Sequence, residues 1–199
     1  MSLNTPRRSG GLATLAWLLP AALFAHTRGG EAAGLLAGLS HPVSGLDHVL
    51  AMVAVGLWGA QLGPPAVWLL PVAFPMVMAL GGTLGLVGVH LPGVEIGIAL
   101  SAIGLGAAVL FEAKPKLGVA AALVGFFAIF HGHAHGTELP PGANGLLYSI
   151  GFVVATGLLH LAGIGIGTIH RWPAGRTALR WTGALVALAG LAFLWKAVT

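Results

Sequence analysis

Nine histidines accompany only five acidic residues in this chain, and most of them lie in or beside apolar stretches. Two groupings stand out. His41, Asp47 and His48 open one apolar run, and His131, His133, His135 and Glu138 close another. Neutral imidazole together with carboxylate suits a borderline divalent ion such as Ni²⁺, Co²⁺ or Zn²⁺. His41 and His48 are seven apart, two helical turns, so they share a face if one helix begins by His41. His131 and His135 stand at i and i+4, which stacks them on one face. Asp47 reads either as a direct ligand or as the acceptor that orients a neighbouring imidazole. Glu95 follows Gly93 by two residues at the head of another apolar stretch, where ligand and helix cap are equal readings. A lone histidine near a helix end is more often interfacial or hydrogen-bonded, and that bland reading is preferred for His90, His160 and His170. His160, deep in its segment, is kept as an exit-side candidate.

These groups need a scaffold, and the composition names the solvent. Of 199 residues, 57% are hydrophobic and 7% charged, with a mean hydropathy of +0.93. A soluble domain carries about 25% charged residues, so this chain has too little charge to cover a globule in water. The expected fold class is all-α: an integral membrane bundle of six transmembrane helices preceded by a signal peptide. Arg7 and Arg8, the apolar run from Leu12 to Phe24, and Ala25 follow the order of a secretory signal. Residues 1–25 are therefore read as a cleaved signal and 26–199 as the transmembrane domain, with an uncleaved anchor helix as the alternative. Cleavage would leave His26 as the first residue, its amine and imidazole a weak extra capture point.

Six segments of about the ~20 residues a spanning helix needs follow: Val43 to Gln61, Ala66 to Val89, Val94 to Phe111, Leu117 to His135, Asn144 to Ile169, and Thr177 to Val198. Pro, Gly and charge mark the connections, as breakers should. Lys114 and Lys116 fall in one connection and Arg171, Arg176 and Arg180 near another, whereas the loops around Pro92 and Pro141 carry no Lys or Arg. The positive-inside rule then puts the basic loops in the cytoplasm and the mature N-terminus outside, in the periplasm if the membrane is a bacterial inner one. The two histidine groups fall on the outer side, where an ion would enter. Trp58, Trp68, Trp172, Trp181 and Trp195 read as interfacial anchors, and Gly81, Gly82, Gly85 and Gly88 as close helix contacts.

Several classes are excluded or disfavoured. There are no cysteines, so thiolate ligation and disulfides are out. The basic residues behind the +4 charge sit in short loops and termini, which is not a nucleic-acid surface. No G-x-x-x-x-G-K-[ST] is present to bind ATP. No prosthetic group is called for; the metal is cargo. Two alternatives stand beside transport. An intramembrane zinc hydrolase would use three or four His/Asp ligands and an open position, with Glu138 and Ser44 as its only further candidate groups. A b-type haem protein would pair histidines across the bundle, but His48 and His160 fall at different depths.

The run His41-Pro42-Val43-Ser44-Gly45-Leu46-Asp47-His48, continuing into Ala51-Met52 and Val55-Gly56-Leu57-Trp58, resembles the first-helix signature of the HupE/UreJ family. Phe130-His131-Gly132-His133-Ala134-His135-Gly136-Thr137-Glu138 is similar to its second signature, FHGxAHGxE, and Leu91-Pro92-Gly93-Val94-Glu95 is similar too. The resemblance implies a bacterial inner-membrane permease for nickel, acting as a secondary carrier or by facilitated diffusion, with membrane lipid as its surroundings. It puts function on His41, Asp47, His48, Glu95, His131, His135 and Glu138, with His133 at the variable position as an optional ligand. Metal identity, coupling ion and the question of a homo-oligomer stay open at this stage.

Overall fold

The computed structural model describes residues 33–139 and 142–199, and the described residues form helices and turns without strands. The expected signal, residues 1–25, and His26 lie outside them. Seven α-helices follow in order: α1 (Ala33–Ser44), α2 (Leu46–Leu62), α3 (Ala66–Leu86), α4 (Val94–Leu110), α5 (Leu117–Thr137), α6 (Gly145–Gly167) and α7 (Pro173–Val198). A 3₁₀ turn, Thr168–Arg171, joins the last two.

Helices α3, α5, α6 and α7, the last two with hydropathies of 1.9 and 1.6, are long and apolar enough to cross a membrane. The bent pair α1–α2 makes a fifth candidate span. Helix α4 is equally apolar but has 17 residues, about 26 Å at the ordinary helical rise, against a hydrocarbon core of ~30 Å. The boundaries expected from the sequence hold to within a few residues for α3 to α6, and α7 begins earlier, with Pro173 at its first turn. Proline is well placed there, having no N–H to leave unpaired.

The first expected span is where the structure departs. His41 and His48 do not share one helix: the chain turns by 81° between α1 and α2, at Gly45 in an extended conformation (φ −101°, ψ 117°). The cause is local. Ser44 Oγ donates to the His41 carbonyl at 2.6 Å, competing for the acceptor that a continuing helix would offer to Gly45 N–H. A side chain at residue 45 would sit 2.8 Å from Asp47 Oδ1 and 3.2 Å from His48 Nδ1, so glycine leaves room for Asp47 to fold back on its neighbour.

Glycine-lined crossings hold the bundle together. A Cβ at Gly132 or Gly136 of α5 would fall on the Met78 or Gly82 carbonyl oxygen of α3, and one at Gly81 on that of Ile129. Gly85 meets the His133 carbonyl in the same way. On the other side Gly56 of α2 and Gly163 of α6 bring those backbones into contact, as do Gly38 of α1 and Gly151 of α6. Such small-residue crossings are what membrane helices use in place of a hydrophobic driving force. Gly88 is a correction: it is past the end of α3 at φ +76°, in a turn.

Trp58 is a second correction. It is buried and donates Nε1–H to the Ala113 carbonyl at 2.9 Å, so it is a core residue. Trp68, Trp172, Trp181 and Trp195 are exposed, as interfacial residues should be. Gln61 and Arg180 reach the Val109 and Leu110 carbonyls, which gathers the ends of α2 and α4 with the start of α7. Arg171, Arg176, Arg180 and Glu112 surround one pocket at that end. The end of α5, with His135 and Glu138, is the opposite end of the bundle from the loop carrying Lys114 and Lys116.

Candidate metal site

Helix α5 carries His131 and His135 toward α1, α2 and α6, and its tight crossing with α3 fixes their height. The His48 ring on α2 lies 4.7 Å from that of His131 and 4.4 Å from that of His135, centre to centre. His41, arriving on α1, lies 4.7 Å from His135. Four imidazoles from three helices thus form a continuous chain, in the order His41, His135, His48, His131. At its exposed end Glu138 Oε2 accepts from His41 Nε2 at 3.0 Å and stands 3.9 Å from His135 Nδ1. One ligand atom from each of His41, His135 and Glu138 lies within 4.8 Å of the other two, close enough to share one ion. Tyr148 and Phe152 of α6 wall this end.

The hydrogen bonds decide which ring nitrogens are free. Ser101 Oγ gives its proton to the Ile98 carbonyl at 2.6 Å, so it accepts from His131 Nε2–H at 2.8 Å. His131 Nδ1 is then a bare lone pair, buried and without a partner among the described residues. His48 is wired in the opposite sense. Asp47 Oδ1 accepts both its backbone N–H at 2.9 Å and its Nδ1–H at 3.0 Å, leaving Nε2 as the unpartnered lone pair. Both nitrogens of His135 are buried without a hydrogen bond. A buried polar atom left unpaired costs about 1–3 kcal/mol, so these nitrogens call for a partner such as an ordered water or an ion. Imidazoles whose far nitrogen donates to a carboxylate or hydroxyl are the usual arrangement around a metal.

The HupE / UreJ protein family profile matches residues 13–193. The chain is also 52% identical over 183 residues to Protein HupE of Rhizobium leguminosarum bv. viciae, covering 92% of this chain and 94% of that one. This chain belongs to the HupE/UreJ family. No solved structure matches it. The two HupE/UreJ signatures are the two halves of the imidazole chain: the first supplies His41, Asp47 and His48, the second His131, His135 and Glu138.

Two expected site residues of the HupE/UreJ pattern make no hydrogen bond or ion pair with the imidazole chain among the described residues. His133 is buried on another face of α5 and donates Nε2–H to the Val89 carbonyl at 2.7 Å, pinning the turn after α3 to α5. Glu95 is exposed in the first turn of α4 and makes no hydrogen bond or ion pair among the described residues. His90 is exposed in the α3–α4 turn, and His170 donates to the Gly167 carbonyl at 2.9 Å, matching the bland reading of both.

Three contributors were not singled out by sequence reasoning. Ser101 sets the His131 tautomer; besides Glu95 it is the one polar side chain in α4, a signal that was available. Phe74 of α3 packs edge-on against His131, and apolar residues among apolar neighbours give no such signal. The third is a cavity of about 390 Å³ between α3, α5 and α6, which brings open space to His135 beside Met78 and Tyr148.

Proposed function

We propose that this protein carries a divalent transition-metal ion, nickel in the first instance, across the bacterial inner membrane from periplasm to cytoplasm. Its signal would be removed and the basic loops would face the cytoplasm. One observation carries the reading: His48 and His131 touch, and each has one nitrogen fixed by an acceptor and the other bare and buried. Family membership supports it, since the HupE/UreJ proteins are associated with nickel and cobalt transport.

The steps follow from the chain's own groups. Glu138 and His41 lie at the rim, with Glu138 about half exposed, and offer an arriving hydrated ion a carboxylate and an imidazole. His135 completes a three-ligand set there. Exchange from this set to His48 and His131 needs little motion, because consecutive rings are in contact. Asp47 balances part of the ion's charge without having to bind it. Borderline nitrogen ligands hold Ni²⁺ or Co²⁺ firmly while rejecting Ca²⁺ and Mg²⁺, which prefer oxygen.

The zinc hydrolase alternative gains nothing from the geometry. The Ser44 hydroxyl is spent on the His41 carbonyl, so it is not poised to act on a bound water. The test is Ni²⁺ uptake by cells making the wild type, His48→Ala or His131→Ala. Loss of uptake in both variants is expected, and undiminished uptake in both would sink the assignment.

A further inference from the structure

Below the imidazole chain lies one more histidine with the same wiring. His160 of α6 is 1% exposed and donates Nδ1–H to the Met52 carbonyl of α2 at 2.8 Å. Its Nε2 is buried with no partner among the described residues. Met52 is one helical turn beyond His48 on α2, so His160 stands deeper than the outer cluster. Thr156, one turn before His160 on the same face of α6, is also fully buried with an unpartnered Oγ1.

The contact of α2 with α6 at Gly56 and Gly163 makes this part of the bundle rigid, since a Cβ at either would fall on the opposite backbone. His160 therefore keeps its carbonyl partner and its orientation. A neutral imidazole could have been satisfied at both nitrogens by any nearby hydroxyl. This one is held by one nitrogen only.

Phe74 separates it from the outer cluster. The ring is fully buried and lies 5.5 Å from that of His131 and 5.4 Å from that of His160, edge-on to both. It sits between Pro71 and Pro75 inside α3. Each proline removes one backbone hydrogen bond from the helix and favours a bend there. The cavity of about 390 Å³ lies against Pro75 and Met78, so this stretch of α3 has unfilled space on one side.

We propose that His160, with Thr156, is an inner ion-binding station, and that Phe74 is the gate between it and the outer imidazole chain. This rests on the transport reading above. In the closed arrangement described, Phe74 blocks passage from His131. A swing of the Phe74 segment of α3 would let the His131 and His160 lone pairs exchange an ion without exposing it to lipid.

The test uses purified full-length protein, with Ni²⁺ alone as the probe, in two assays run in parallel. Equilibrium dialysis reads outer-site affinity, and proteoliposome uptake reads KM and the maximal rate. In His160→Gln the maximal rate is expected to fall at least tenfold, while KM and dialysis affinity stay within twofold of wild type. A maximal rate within twofold of wild type, or a loss confined to KM, overturns the station. If His160→Gln does not give a monodisperse protein, Phe74→Ala decides. It should raise the maximal rate at least threefold with unchanged dialysis affinity, and an unchanged or lower rate overturns the gate. Failure of the wild type to bind or transport Ni²⁺ would instead defeat the transport reading itself.

Discussion

Replacing Ser101 by alanine removes one oxygen atom and touches no proposed ligand atom. In the native protein that oxygen accepts from His131 Nε2–H at 2.8 Å, in a place where both residues are fully buried. The hydroxyl's own hydrogen is committed to the Ile98 carbonyl at 2.6 Å, so it can only accept from the imidazole. Without it, the Nε2–H tautomer has an unpaired buried donor, at a cost of about 1–3 kcal/mol. The Nδ1–H tautomer loses its handicap by the same amount and places a hydrogen where the ion should bind. At about 1.4 kcal/mol per tenfold change, the ion then binds roughly 5- to 150-fold more weakly. Loss of an orienting partner around a metal ordinarily costs 10–100-fold, which agrees.

The assay is Ni²⁺ equilibrium dialysis on purified Ser101→Ala, with Ser101→Thr as the control that keeps the hydroxyl. Affinity should fall 10–100-fold in Ser101→Ala and recover substantially in Ser101→Thr. A monodisperse Ser101→Ala protein with affinity within twofold of wild type would refute the reasoning. It would mean either that the tautomer is not set by Ser101 or that His131 Nδ1 is not a ligand.

Three further outcomes are expected. Asp47→Asn keeps an oxygen acceptor for His48 Nδ1–H and loses only charge, so Ni²⁺ affinity should fall less than in Asp47→Ala; equal losses in dialysis would show that the orienting hydrogen bond is irrelevant. Gly132→Val should fail to give a monodisperse protein, because a side chain there runs into the Met78 carbonyl of α3; size-exclusion chromatography with a normal peak would contradict the crossing. Protons compete with the ion for bare imidazole nitrogens, so Ni²⁺ binding should be weakened by acidification and never tightened by it; tighter binding at the lower pH in dialysis would count against imidazole ligation.

The sequence made the elements legible because membrane helices announce themselves by composition, and Pro and Gly mark their ends. It did not show the break at Gly45, because hydropathy is blind to a single extended residue between two helical stretches. Half of the cluster was legible for a simple reason: His131 and His135 stack through i, i+4 spacing that any helix enforces. The condition for His41 and His48 to share a face, one helix running through both, is not met. His41 reaches the cluster by a different route, through α1 and its hydrogen bond to Glu138. His133 shows the converse. It is two residues from each of two cluster histidines, and that offset of about 200° on a helix turns it to the opposite side, where the Val89 carbonyl takes its proton.

The acceptors opposite the bare nitrogens say more about the proposed transport than the histidines themselves do. His48 is fixed by a carboxylate, His131 by a hydroxyl and His160 by a backbone carbonyl. A charged acceptor makes its imidazole a stronger ligand than a neutral one does. On the proposed route His48 is therefore the strongest of the three ligands, and His131 and His160, each on a neutral acceptor, bind more weakly as an ion moves away from the carboxylates at Asp47 and Glu138. A carrier needs binding firm enough to strip water at the entrance and loose enough to let go at the exit. Exchanging the acceptors should shift that balance: Asp47→Ser would give His48 a neutral hydroxyl partner like that of His131. The expected result is weaker Ni²⁺ affinity with a maximal uptake rate equal to or above wild type. A variant with both affinity and maximal rate reduced in proportion would show that Asp47 acts on the fold or on the ion directly, and that the gradient of acceptors has no part in release.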